Sequence, residues 1–192
     1  MPVARPVATR STLTTLRVPI LSGRVTVILG GAASGKSAFA EQACVNTGKN
    51  RIYWATSQIL DPEMQQKVAR HLTQRGGDWT TIEEPFDASR VMPRVQAEDV
   101  LLMDCATMWL TNHLLAEHDL EQETEALLAA IANCPAEVVI VTNETGLGIV
   151  PENALARRFR EAQGRLNIAL AEQAECVVLV AAGLPLVLKG AL

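Results

Sequence analysis

The chain has 192 residues, 48% of them apolar and 20% charged, which suits one α/β domain with a sizeable core and excludes a disordered chain. Lys and Arg number 17 against 21 Asp and Glu, and a net charge of −4 argues against a general nucleic-acid binder. No apolar run approaches the roughly 18 residues that span a bilayer, so no transmembrane segment is expected.

Residues 1–23 carry Arg5, Arg10 and Arg17, no acidic residue and no continuous apolar stretch. They read as a poorly ordered extension, not a secretory signal. From Arg24 onward, apolar runs alternate with helical patterns. RVTVIL, RIYWAT, DVLLMD, AEVVIVTN and ECVVLVAAG read as strands buried on both faces. Helices are predicted at Lys36 to about Asn46, Pro62 to about Gln74, Ala88 to about Ala97, near Thr107–His118, near Glu121–Ile131, and Asn153 to about Ala174. Asp61-Pro62 fits a helix start, with a capping side chain and proline in the first turn. Gly183-Leu184-Pro185, set between two apolar runs, predicts a final antiparallel edge strand. The sum is a three-layer α/β domain over residues 24–192 with a mostly parallel sheet.

Ligands of such sheets collect at the carboxyl ends of the strands. After the first strand comes GGAASGKS, Gly30 to Ser37, which fits G-x-x-x-x-G-K-[ST] between a strand and a helix. Gly30, Gly31, Ala32, Ala33, Ser34 and Gly35 would turn backbone amides toward a phosphate, with the helix N-terminus behind them. Lys36 would reach the β- and γ-phosphates, and the Ser37 hydroxyl would bind Mg²⁺. Asp104 closes an otherwise apolar strand. It is read either as a carboxylate holding a Mg²⁺-bound water beside Ser37, or as the cap of the helix near Thr107.

Three other stretches leave both a functional and a plain reading open. His71 shares a helix side with Met64 and Val68, which fits packing; as a neutral imidazole beside a phosphate it would be a nucleophile. Lys67, Arg70 and Arg75 would neutralise phosphate charge or form a solvated face. TNETGLGIVPENALARRFREAQGRLN crowds Glu144, Glu152, Arg157, Arg158, Arg160 and Arg165 around a glycine-bearing loop. It is either a salt-bridged loop and helix, or a closing loop with anion-binding arginines. His113 and His118 lie in a leucine-rich amphipathic stretch and receive no role. Cys44, Cys105, Cys134 and Cys176 are scattered without a CxxC pair, as expected of buried reduced thiols in a cytoplasmic protein.

Taken together, GGAASGKSAFAE, YWATSQILDPEM, the stretch from His71 through EEP, DCATMWLTN and the TNETGLGIVPEN run resemble one family. It is the bifunctional adenosylcobinamide kinase/adenosylcobinamide-phosphate guanylyltransferase family of cobalamin biosynthesis. The resemblance spans about Arg24 to Lys189. It implies a RecA-like P-loop fold, a trimer, Mg²⁺, and two reactions. Adenosylcobinamide is phosphorylated with ATP or GTP; GMP from GTP is then transferred to that phosphate through a guanylylated histidine, whose matching position is His71. Ala55, Thr56, Ser57, Leu72, Thr73, Gln74, Arg75, Glu83 and Asp104 match the family's nucleotide site, beside Gly30–Ser37. The Asn143–Asn153 loop is a candidate corrin contact. The family's H-R-x-x-R-P-x-x-W departs here to His71-Leu72 and Arg75-Gly76, which removes one cation and loosens the loop. A single-activity P-loop small-molecule kinase and a non-enzymatic GTP-binding regulator remain the alternatives.

Overall fold

The computed structural model describes residues 24–58 and 77–192. The expectations for the 1–23 extension, the Asp61-Pro62 helix start and the helix carrying His71 lie outside these residues. The described chain forms one seven-stranded sheet. Its strands are β1 (Val25–Gly30), β2 (Asn50–Ala55), β3 (Trp79–Glu83), β4 (Asp99–Asp104), β5 (Glu137–Asn143), β6 (Cys176–Ala181) and β7 (Leu184–Lys189). They run in the order β3-β2-β4-β5-β1-β6-β7. All neighbours are parallel except β6 and β7.

The central strands are β-branched apolar runs because helices cover both of their faces. On one face α1 (Lys36–Asn46) turns Phe39, Ala40, Ala43 and Cys44 onto Ile28, Val100, Leu102, Val139, Val141 and Val178. On the other, four helices pack: α2 (Ala88–Val91), α3 (Ala106–Leu115), α4 (Leu120–Asn133) and α5 (Ala154–Gln173). Val27, Leu29, Trp54, Leu101, Met103 and Ile140 meet them there. Alternate residues of one strand thus serve opposite cores, the period of two read directly. Fully burying one such Val, Leu, Ile or Met is worth about 1.5–3 kcal/mol. Among the described residues no helix is long and apolar enough to cross a membrane.

Three expectations need correction. Trp79–Glu83, not anticipated as a strand, pairs with β2 as the sheet's edge. Its residues are mostly half-exposed, so it lacks the continuous apolar run of a central strand. The helix expected over Ala88–Ala97 stops at Val91 and passes into a 3₁₀ turn at Met92–Arg94, where Pro93 has no N–H to continue the ladder. The helix after β4 starts at Ala106 with Cys105 as its N-cap, so the capping alternative for Asp104 falls. The final hairpin is as expected. Ala182 and Gly183, φ 51° and 77°, make a two-residue turn of the primed kind that suits strand twist.

Candidate functional site

The strand register lines the expected residues along one sheet edge. Glu83 pairs with Ala55, Ala55 with Asp104, and Gly30 with both Asn143 and Val180. The loop from Gly30 to Lys36 then closes over β1. A Cβ on Gly30 would lie 2.3 Å from Ser34 Oγ and 2.7 Å from the Val180 carbonyl, so only glycine passes there. Gly35 caps α1 with φ 94° and offers no side chain, and no acidic residue stands in the helix's first turn. The helix donors therefore face outward without a carboxylate to satisfy them, which suits an anion. Lys36 Nζ donates to the Gly31 carbonyl at 3.0 Å, placing its ammonium over the same loop. Gly183 N–H, from the β6–β7 turn, donates to Ser34 O at 2.8 Å and clamps the loop from the side.

Asp104 is half-buried at the end of β4 and accepts a hydrogen bond from Tyr53 OH at 2.9 Å. Tyr53 meets Trp79 edge to face, and the Arg51 guanidinium lies 5.8 Å from the Trp79 ring. Thr56 is fully buried, and its hydroxyl bonds both the amide and the carbonyl of Cys105 at 2.8 Å. That hydroxyl holds two strand ends together, so what Ala55, Thr56 and Ser57 offer a ligand is mainly backbone. Burial, with the Asp104 charge beside it, pushes the Cys105 thiol up to about 12, which keeps it protonated.

A buried polar network beneath β5 was not read from the sequence. Thr142 Oγ1 donates to Asn167 Oδ1 at 2.7 Å and accepts from Gln163 Nε2 at 3.0 Å. Thr107 Oγ1 accepts from the Asn143 amide at 2.8 Å, and Asn167 Nδ2 donates to the Asn143 carbonyl at 3.0 Å. Together they fix the backbone of Asn143 opposite Gly30. Among the described residues, Asn143 Oδ1 and Ser34 Oγ are buried without a hydrogen-bond partner. Spacing along the chain gives no sign of this network, because its members come from β5, α3 and α5.

In the loop after β5, Arg157 donates to the Pro151 carbonyl at 3.0 Å and to that of Glu152, and Arg160 donates to the Gly146 carbonyl. These two arginines brace the loop through its backbone. Arg158 and Arg165 stand exposed on α5, as do Leu147, Ile149 and Val150 on the loop. His71 and Leu72, Thr73, Gln74 and Arg75 fall outside the described residues.

The comparisons with known proteins agree with one another. A family model described as cobinamide kinase / cobinamide phosphate guanyltransferase matches residues 26–188. The bifunctional adenosylcobalamin biosynthesis protein CobP of Pseudomonas aeruginosa is 44% identical over 167 residues, covering 85% of this chain and 96% of that protein. CobU of Salmonella typhimurium, named in the same words, is 41% identical over 180 residues, covering 85% and 98%. A solved Pyrococcus horikoshii protein aligns with TM-score 0.56 over 89% of each chain at 7% identity, a likeness of fold alone.

Proposed function

The chain belongs to the cobinamide kinase / cobinamide phosphate guanyltransferase family, and on that premise we propose how its own residues divide the two reactions. It is a bifunctional enzyme of cobalamin biosynthesis on a three-layer P-loop fold, a cobinamide kinase and a cobinamide phosphate guanylyltransferase. One observation supports a single triphosphate site serving both reactions: the Gly30–Ser37 loop on β1 and the Asp104 carboxylate on β4 face the same sheet edge.

In the kinase step the loop amides and Lys36 hold the β- and γ-phosphates of ATP or GTP while the aminopropanol hydroxyl of adenosylcobinamide attacks the γ-phosphorus. The β–γ bond breaks, ADP or GDP leaves and the hydroxyl proton passes to solvent. In the second step the His71 imidazole attacks the α-phosphorus of GTP and pyrophosphate leaves. The corrinoid phosphate then displaces the imidazole, giving adenosylcobinamide-GDP. Splitting the transfer lets one imidazole act first as nucleophile and then as leaving group. Lys36 neutralises charge on the departing pyrophosphate, and this is mainly electrostatic work.

Ser37 and Asp104 supply hard oxygens of the kind Mg²⁺ takes. β5 lies between β1 and β4. Two strand spacings, about 9–10 Å, thus separate their ends, a span that suits a carboxylate reaching the ion through water. When bound, Mg²⁺ offsets the charge of the leaving phosphates. Ala55–Ser57 and Glu83, at the adjoining strand ends, would contact the nucleotide on its other side. A cytoplasmic location fits the four free cysteines. A trimer fits the exposed Leu184, Leu186 and Leu188 of edge strand β7, and sedimentation measures it.

The test uses GTP labelled at the α-phosphate. The wild type is expected to carry label that is stable in alkali and lost in acid, as a P–N bond requires. His71→Asn is expected to abolish that label and guanylyl transfer while phosphorylation of adenosylcobinamide continues. Retained label would place the nucleophile elsewhere.

A further inference from the structure

At the far end of α3 from the phosphate site, three side chains from two helices and the turn between them converge. His113 Nδ1 lies 3.0 Å from His118 Nδ1. Glu123 brings one oxygen to 3.8 Å from the first and the other to 4.0 Å from the second. The three ligand atoms fall within 4.8 Å of one another. Local backbone chemistry explains the meeting. The His118 amide donates to the His113 carbonyl at 3.0 Å, and the Glu117 amide to that of Leu114 at 3.3 Å, with Glu117 at φ 58°. This is a Schellman ending, which folds the residue after the turn back onto the last turn of the helix. The two side chains it normally joins are apolar; here they are imidazoles. Asp119 then caps α4 through the amides of Glu121 and Gln122, setting Glu123 one position further on.

We propose that His113 Nδ1, His118 Nδ1 and a Glu123 carboxylate oxygen form a Zn²⁺ site outside the phosphate-transfer centre. Two histidines and a carboxylate with a fourth position left to water are a recurrent zinc donor set. The outer arrangement is also in place. His113 Nε2 lies 3.2 Å from the Phe86 carbonyl, which can only accept, so Nε2 carries the proton and Nδ1 presents a lone pair. His118 and Glu123 open onto a cleft of about 420 Å³ that Phe86, Asp87 and Trp109 also line, so the ion has an entry path. Tetrahedral ligands at zinc distances stand about 3.3–3.4 Å apart. The imidazoles must therefore separate by a few tenths of an ångström, while one Glu123 oxygen closes by about half an ångström on the nearer imidazole and by up to about 1.5 Å on the other. His118, with 42% of its side chain exposed, has the freedom to do so. Bound there, Zn²⁺ ties the end of α3, the start of α4 and, through Phe86, the loop that follows β3.

The test is titration of chelator-treated full-length protein with ZnCl₂ under saturating Mg²⁺, read by competition with a chromophoric chelator. One ion per chain and a rise in Tm are expected. Because buried His113 also packs on Trp109 and Phe86, the informative variants are His118→Asn and Glu123→Gln. Each is expected to weaken binding by at least the roughly 10–100-fold seen when an outer-shell partner is lost. Each is also expected to leave kinase turnover unchanged and to abolish the visible bands of the Co²⁺-loaded protein. No saturable binding by the wild type, or stoichiometric binding that both variants retain, would overturn the proposal.

Discussion

The Gly30–Ser37 loop and the Ala116–Asp119 turn both require left-handed backbone, which the loop takes at Ala33 and Gly35 and the turn at Glu117. At the loop, Gly35 sits at φ 94° and a Cβ there would lie 3.1 Å from Gly183 Cα. At the turn, Glu117 takes φ 58° with a full side chain. The difference follows from what each segment presents. A phosphate is held by main-chain amides, and at Gly30 and Gly35 the neighbouring backbone comes too close to leave room for a Cβ. The turn's product is the placement of two imidazoles, and the Glu117 side chain is exposed. Glycine thus marks where neighbouring backbone crowds the loop, whereas an ordinary residue suffices where its side chain has room.

The harshest way to break the comparison is Lys36→Ala. Its ammonium is the one charged group the loop adds to its amides, and both reactions need the triphosphate held there. Both turnovers are expected to fall by at least about 100–1,000-fold, the scale for losing one group that stabilises transition-state charge. Thermal unfolding should be unaltered, so normal turnover of either reaction would count against the shared cradle. Thr56→Val comes next. It leaves the Cys105 amide without the hydroxyl it now uses, and chemical denaturation is expected to show a loss of about 1–3 kcal/mol.

A reciprocal exchange sharpens the contrast at smaller scale. Gly35→Ala forces a Cβ into left-handed backbone, a strain of roughly 1–2 kcal/mol, and should weaken nucleotide binding as well as stability. Glu117→Gly relieves the same strain, offset by about 0.5–1 kcal/mol of extra chain entropy in the unfolded state. A gain of a few tenths of a kcal/mol is expected, with kinase activity intact; a loss exceeding about 1 kcal/mol would show that the Glu117 side chain supports the turn.

Legibility in the sequence tracked contiguity. The phosphate loop was readable because its chemistry occupies eight successive residues after a strand that is buried and β-branched. The central strands were readable for the same reason, since burial on both faces leaves no polar interruption. Trp79–Glu83 was missed because an edge strand needs only partial burial and follows Gly76-Gly77, which reads as a break. The Thr107–Thr142–Gln163–Asn167 network left no pattern at all, since its four members share a location only after the sheet closes. His113 and His118 stand five apart, a spacing that a continuous helix does not bring together. The left-handed turn at Glu117 makes them neighbours, and no glycine announces it.

The clamp from Gly183 to Ser34 has a consequence for how the protein is made. Roughly 150 residues separate donor from acceptor, and β1 itself is flanked by β5 and β6, both distant in the chain. At about 5–20 residues per second, the ribosome releases the phosphate loop some 7–30 s before the turn that fixes it. For most of that interval the nascent loop lacks both flanking strands, and throughout it lacks its clamp. The nucleotide cradle is therefore synthesised well before the β6–β7 turn that clamps it, and it is complete only once that turn has emerged.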